Sequence, residues 1–153
     1  MPDDPVERLA NTHRRMEEQL AALERAARTG DRQRLDEALD FFASAAKRHH
    51  EDEEASLFPR LRADPALAPL LEALASEHLA HDEARREIEG LARADVPAET
   101  IAARVDLFVA MVRAHVDRED RELLPAAERA LDPETRAVVA GEMRERRGGG
   151  RRL

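Results

Sequence analysis

Two stretches of the chain carry a histidine and a glutamate four residues apart. Residues 49–59 read HHEDEEASLFP and residues 115–125 read HVDREDRELLP, which aligns His49 with His115, Glu53 with Glu119, Leu57 with Leu123 and Pro59 with Pro125. The repeat extends upstream, because Phe42 and Phe108 each stand seven residues before their histidine. On a helix, positions i and i+4 share one face, one turn apart. An imidazole and a carboxylate so placed can hold one metal ion between consecutive turns. A chain that carries the pair twice, with more histidines between, can build a site for two.

Those pairs need helices, and the composition supplies little else. The 153 residues suit about one domain with one continuous core. Ala, Leu, Glu and Arg dominate, all strong helix formers, and no alternating strand-like run is present. The expected class is all-α. A net charge of −8 disfavours nucleic acid and anionic membrane as partners. The absence of Cys removes disulfides, thiolate ligands and a Cys nucleophile. The acidic start MPDDPVER has no apolar run of the signal-peptide kind, and no stretch approaches the ~20 apolar residues of a membrane span, so the expected location is the cytoplasm.

Punctuation divides the chain into five helices. The first is expected from about Asp4 to Thr29, stopping at Gly30. Asp31 can cap a second that continues to about Arg62, with Pro59 kinking or ending its last turn. Asp64-Pro65 opens a third that ends near Ala94, and Asp95-Val96-Pro97 precedes a fourth reaching about Leu131. Asp132-Pro133-Glu134 opens a short fifth, to about Arg147. The tail GGGRRL has the composition of a disordered end, and its arginines, with Arg144, Arg146 and Arg147, read as a solvated basic patch. The division is thus a bundle over residues 1–131 and a short helix with a basic tail over 132–153.

Four long helices joined by short turns fit an up-down-up-down four-helix bundle with a short C-terminal fifth helix. Each long helix has an apolar seam, and histidines interrupt all four: His13 in the first, His49 with Glu53 in the second, His78 and His81 in the third, His115 with Glu119 in the fourth. Counted from the turns at 1.5 Å per residue, all of them fall at nearly one level, roughly 26 Å from the bundle end. A lone buried His is usually a hydrogen-bonded core residue. Five at one level with two carboxylates need one another or a cation as partners. His50 also has a Glu four residues on, but it shares a face with Lys47 and Glu54, about 100° from His49, which points to a partly exposed non-ligand.

Imidazole with carboxylate suits Fe, Zn, Mn or Cu, and five His with two Glu exceed the needs of one tetrahedral zinc. Two six-coordinate ions offer about 12 positions, and two bridging carboxylates, a shared oxo or hydroxo group and five imidazoles leave roughly one open. Ferritin-like bundles use Glu-x-x-His, and no Glu here stands three residues before any His. No HExxH zinc-protease motif occurs either.

The pattern of His13, His49-x3-Glu53, His78/His81 and His115-x3-Glu119, with LFP after the first pair, resembles hemerythrin and the hemerythrin HHE domain over about residues 5–131. The resemblance implies a non-haem centre of two Fe ions, oxo- or hydroxo-bridged, inside the bundle. Glu53 and Glu119 would bridge the ions, and His13, His49, His78, His81 and His115 would be terminal ligands. Oxygen carriers of the family have two third-helix histidines four apart, whereas His78 and His81 are three apart. His81, within HDEA, matches the single third-helix ligand of many bacterial relatives. The last carboxylate in oxygen carriers is an Asp five residues after its His. Asp120 has that spacing, but the internal repeat favours Glu119. The expected partners are O2, NO or peroxide, bound for sensing, storage or detoxification. The alternatives are an enzyme that decomposes peroxide or reduces NO at the same centre, and a protein of iron handling or iron sensing.

Overall fold

The computed structural model describes residues 4–148, and among them there is no strand. Helix α1 (Pro5–Thr29) starts where Asp4 accepts a hydrogen bond from the Val6 N–H at 3.1 Å and Pro5 presets the first turn. It stops at Gly30, whose φ of 74° is the left-handed conformation that a side chain disfavours. Helix α2 spans 32–61 in consecutive pieces: Arg32–Ala43, Ala45–Glu51, a π turn at Asp52–Leu57, and Phe58–Leu61. Its break falls at Ser44, whose Oγ donates to the Asp40 carbonyl at 2.7 Å and so competes with the helical ladder.

A 3-10 turn at Pro65–Leu67, capped by Asp64, leads into α3 (Ala68–Arg93). Helix α4 spans 98–130 as Ala98–Arg118, a second π turn at Glu119–Leu123, and Leu124–Ala130. Helix α5 (Pro133–Arg146) begins at Asp132, which accepts from the Thr135 N–H at 2.7 Å. The boundaries inferred from capping residues therefore hold to within a few residues. Helix α1 packs between α2 and α4, and α3 packs between the same two from the other side, giving the four-helix bundle with a short fifth helix. No helix of the described residues is long and apolar enough to cross a membrane.

Pro59 does not end its helix, and neither does Pro125. A proline inside a helix lacks the N–H for the ladder, and its ring collides with the carbonyl four residues back. Widening the turn before it relieves both problems. Phe58, just before Pro59, donates its N–H five residues back to the Glu53 carbonyl, and Leu124, just before Pro125, does the same to the Glu119 carbonyl. Each π turn thus engages the backbone of the very residue that carries a seam carboxylate.

Two apolar clusters fill the bundle. One contains Leu20, Leu23, Leu39, Phe42, Ile88, Val105 and Phe108, and the other Leu9, Leu57, Phe58, Leu71, Leu74 and Leu123. The polar seam residues form the layer between them. Helix α5 seals the second cluster with Val139 and Met143.

Of the expected basic patch, Arg146 and Arg147 are not simply solvated. Arg146 Nη1 lies 2.6 Å from Asp52 Oδ1 and Arg147 Nη2 lies 2.7 Å from Asp52 Oδ2, with Asp52 itself only 1% exposed. Glu142 accepts from Ser56 Oγ at 2.6 Å and pairs with Arg60 at 2.9 Å. These contacts tie α5 to the first π turn. The sequence reading missed them because Asp52 shows its role only when the two helices meet. The tail beyond Gly148, expected to be disordered, lies outside the described residues.

Candidate metal centre

The seven seam residues expected to bear ligands are all buried: His13, His49, Glu53, His78, His81, His115 and Glu119. Six of them converge in two overlapping groups. His13, His49, Glu53 and Glu119 bring one ligand atom each within 4.8 Å of one another, and so do Glu53, His78, His115 and Glu119. The two glutamates belong to both groups, and each divides its oxygens between them. Glu53 Oε2 lies 3.0 Å from His49 Nε2, while Glu53 Oε1 lies 3.0 Å from His78 Nε2. Glu119 Oε1 lies 2.8 Å from His13 Nε2, while Glu119 Oε2 lies 3.0 Å from His115 Nε2.

This arrangement has an approximate two-fold character that follows from the repeat. Helix α1 corresponds to α3 and α2 to α4, so His13 pairs with His78, His49 with His115, and Glu53 with Glu119. Phe42 and Phe108, also mates, meet edge to face with ring centroids 5.2 Å apart.

A ring of outer acids holds the imidazoles. His13 Nδ1–H donates to Asp120 at 2.7 Å, His78 Nδ1–H to Glu54 at 2.5 Å, and His115 Nδ1–H to Glu77 at 2.6 Å. Since an ionised carboxylate only accepts, the proton must sit on Nδ1, and Nε2 is turned toward the centre. His49 is the exception, because its Nδ1 is buried without a partner. Asp120, weighed in the sequence as an alternative ligand, therefore holds the His13 ring from outside. The role of Glu77 escaped the sequence reading, although an acid directly before a seam histidine is a usable signal.

The third helix differs in emphasis from the sequence reading. His78 is the residue set among the carboxylates. His81 packs its ring on His115, with centroids 4.8 Å apart, and stands in neither group. His50 is half-buried and stacks on His78 at 3.9 Å with the planes 10° apart.

Electrostatics divide these imidazoles into two kinds. Burial pushes His49 down, but Glu53 and Glu119 outweigh it and raise its pKa to about 10. Burial opposes the same rise in His78, which Glu119 and Glu53 carry to about 10. His115 is raised by Glu119 against its burial. Burial would lift Glu119, yet the surrounding imidazoles hold it well below the usual carboxylate range. His81 is pushed down to about 3 by burial and by His115 and His78. Burial, His78 and His49 push His50 well below its ordinary value.

The residues fit a cation. Both Glu53 oxygens, Glu119 Oε2, His78 Nε2 and His115 Nε2 are shut off from solvent without a well-aligned hydrogen bond, although they lie about 3.0 Å apart. Buried polar atoms left in that condition are costly. Imidazole and carboxylate donors of this kind serve iron, zinc and manganese alike. Comparison with curated proteins finds no match. The family model of the hemerythrin HHE cation-binding domain matches residues 4–127. That match spans every residue of the two groups and most of the chain, and the chain belongs to the hemerythrin HHE cation-binding domain family.

Proposed function

We propose that the chain holds two iron ions and uses them to bind O2, or a related small ligand such as NO or peroxide, for sensing, storage or detoxification. The observation that carries the reading is the division of the Glu53 and Glu119 oxygens between two histidine pairs, the pattern expected of carboxylates that bridge two cations. His13 and His49 would serve one ion, and His78 and His115 the other. His81, packed on His115, is the remaining imidazole of the proposed ligand set. When bound, the iron pair supplies reducing electrons and a coordination position for the ligand.

The chain's own residues prepare that chemistry. Asp120, Glu54 and Glu77 fix the proton on Nδ1 of three histidines, which leaves Nε2 free for a cation. The apolar clusters on either side of the layer exclude water. Phe42 and Phe108 give the cavity beside the centre an apolar inner wall, which would slow the loss of a bound oxidant to solvent.

Anaerobic loading with ferrous salt tests the reading, followed by metal analysis and absorption spectra under O2, NO and peroxide. About two iron ions per chain and a reversible adduct are expected. A protein that takes up no iron refutes the proposal. Sustained consumption of the oxidant, in place of a stable adduct, would move it to catalysis.

A further inference from the structure

A cavity of about 510 Å³ opens between α2 and α3 beside the candidate metal centre. His13, His49, Glu53, Glu119 and His115 are not among its walls, and of the six grouped residues only His78 borders it. With His81, two of the proposed ligand residues form one edge of it, and the remaining walls come from residues outside that set. Its volume falls within the roughly 300–1,000 Å³ typical of pockets for small organic ligands. A diatomic molecule would leave most of it empty.

The inner wall is apolar, formed by Phe42, Phe108 and Val112, all buried. Three nitrogens among the lining residues are shut off from solvent without a hydrogen-bond partner: His78 Nε2, which is turned to Glu53, and His50 Nε2 and Arg85 Nε, which are not. The other guanidinium nitrogens of Arg85 are engaged, Nη1 by Glu89 at 2.5 Å and Nη2 by Asp82 at 2.6 Å. A buried N–H without an acceptor is a destabilising feature that a ligand oxygen would relieve. The flanking acids decide the charge of that oxygen. Arg85 pairs with Asp82 and Glu89, and Asp82 also pairs with Arg86, so two cations and two acids already balance here and an added carboxylate would meet both acids as like charges.

We propose that this cavity binds a small organic molecule with an apolar body and one uncharged oxygen group, an alcohol, aldehyde or ketone. The apolar body lies against Phe42, Phe108 and Val112, and the oxygen accepts from Arg85. The site deepens the proposed function by placing an organic ligand beside the cation pair, but the cavity is formed by the protein alone and its occupancy needs no metal.

The test titrates 1-butanol, 1-pentanol and 1-hexanol into the full-length protein, both metal-free and loaded with Zn(II), followed by 15N NMR shifts. Saturable binding is expected in both forms, tightening about threefold to fourfold per added methylene. Val112→Phe should weaken 1-hexanol at least tenfold by filling the wall, and Ala46→Val, a smaller change on the same cavity, should weaken it severalfold if the larger variant folds poorly. Arg85→Met should weaken every alcohol by a similar factor and keep the methylene increment. Non-saturable shifts, absence of chain-length dependence, or hexanoate binding as tightly as 1-hexanol would overturn the assignment. Alcohol binding to a protein that fails to take up metal would refute the cation reading alone, and metal uptake without alcohol binding would refute the cavity ligand alone.

Discussion

Asp120 stands 2.7 Å from His13 Nδ1 although 107 residues separate them in the chain. Its mate across the approximate two-fold, Glu54, meets His78 Nδ1 at 2.5 Å. In both cases the acid directly follows an inner glutamate, so consecutive residues on one helix perform two tasks. The first turns inward to the centre, and the second reaches sideways to steady a ring on the neighbouring helix.

If those outer acids orient the imidazoles, Asp120→Asn and Glu54→Gln should each weaken cation binding about tenfold to a hundredfold. Both acids are substantially exposed, with side chains 49% and 45% accessible, so the fold should tolerate the change. Competition against a chelator measures the affinity, and circular dichroism checks the fold. Unchanged affinity in both variants would remove the orienting role.

Sharing of Glu53 and Glu119 makes the loading of variants distinctive. His13→Ala breaks only the His13/His49 group, whereas Glu119→Ala breaks both. Metal analysis should therefore find about one ion per chain in the first variant and loss of stoichiometric loading in the second. His49→Ala breaks the same single group as His13→Ala and should likewise lose the paired loading, falling to about one ion, and His50→Ala should keep two. Two ions retained in the Glu119 variant would contradict the bridging role.

The pH response of the metal-free protein should run opposite to that of the loaded one. His49 and His78 rise from 6.5 to about 10 in the fold. A base with a raised folded value stabilises the fold fully below its unfolded value and loses that contribution as pH climbs to the folded one. The metal-free melting temperature should thus fall between pH 6.5 and about 10. Ligation requires unprotonated imidazoles, so loading releases protons, and higher pH favours the loaded form. Thermal melts of both forms across that window decide the matter. A metal-free melting point that rises with pH would be inconsistent with the paired charges.

Asp52 offers a test away from the ligands. Removing both partners with Arg146→Ala and Arg147→Ala leaves a 1% exposed carboxylate without a counter-charge. The expected loss is about 2–3 kcal/mol, at or below the low end for broken buried pairs because the arginines keep some contact with water. Adding Asp52→Asn should recover part of it. Denaturant unfolding measures both, and a double-arginine variant as stable as the parent would show that the Asp52 pairs contribute nothing to holding α5.

The helices and the candidate ligands were legible because they repeat. Asp4, Asp31, Asp64 and Asp132 mark helix starts by local chemistry, and His-x3-Glu defines a face by spacing alone. What escaped notice depends on contacts between elements. Pro59 advertised an irregularity, but only the backbone revealed that the turn widens from Glu53 rather than stops. Glu77 and Asp52 act through residues on other helices, 38 and 94 positions away. His78 and His81, both expected at the site, differ by about 60° of helical rotation, and the structure groups only His78 with the carboxylates.

The correspondence of α1 with α3 and α2 with α4 implies that half of this chain already contains a complete recipe. A single hairpin with one histidine on its first helix and His-x3-Glu on its second would, on pairing with its own copy about a two-fold axis, reproduce the inner six-residue cage. Joining the halves into one polypeptide removes the concentration dependence of that encounter. It also releases each half from having to match the other. His50 and His81, whose counterparts in the opposite half are Val116 and Met16, mark where the two halves differ.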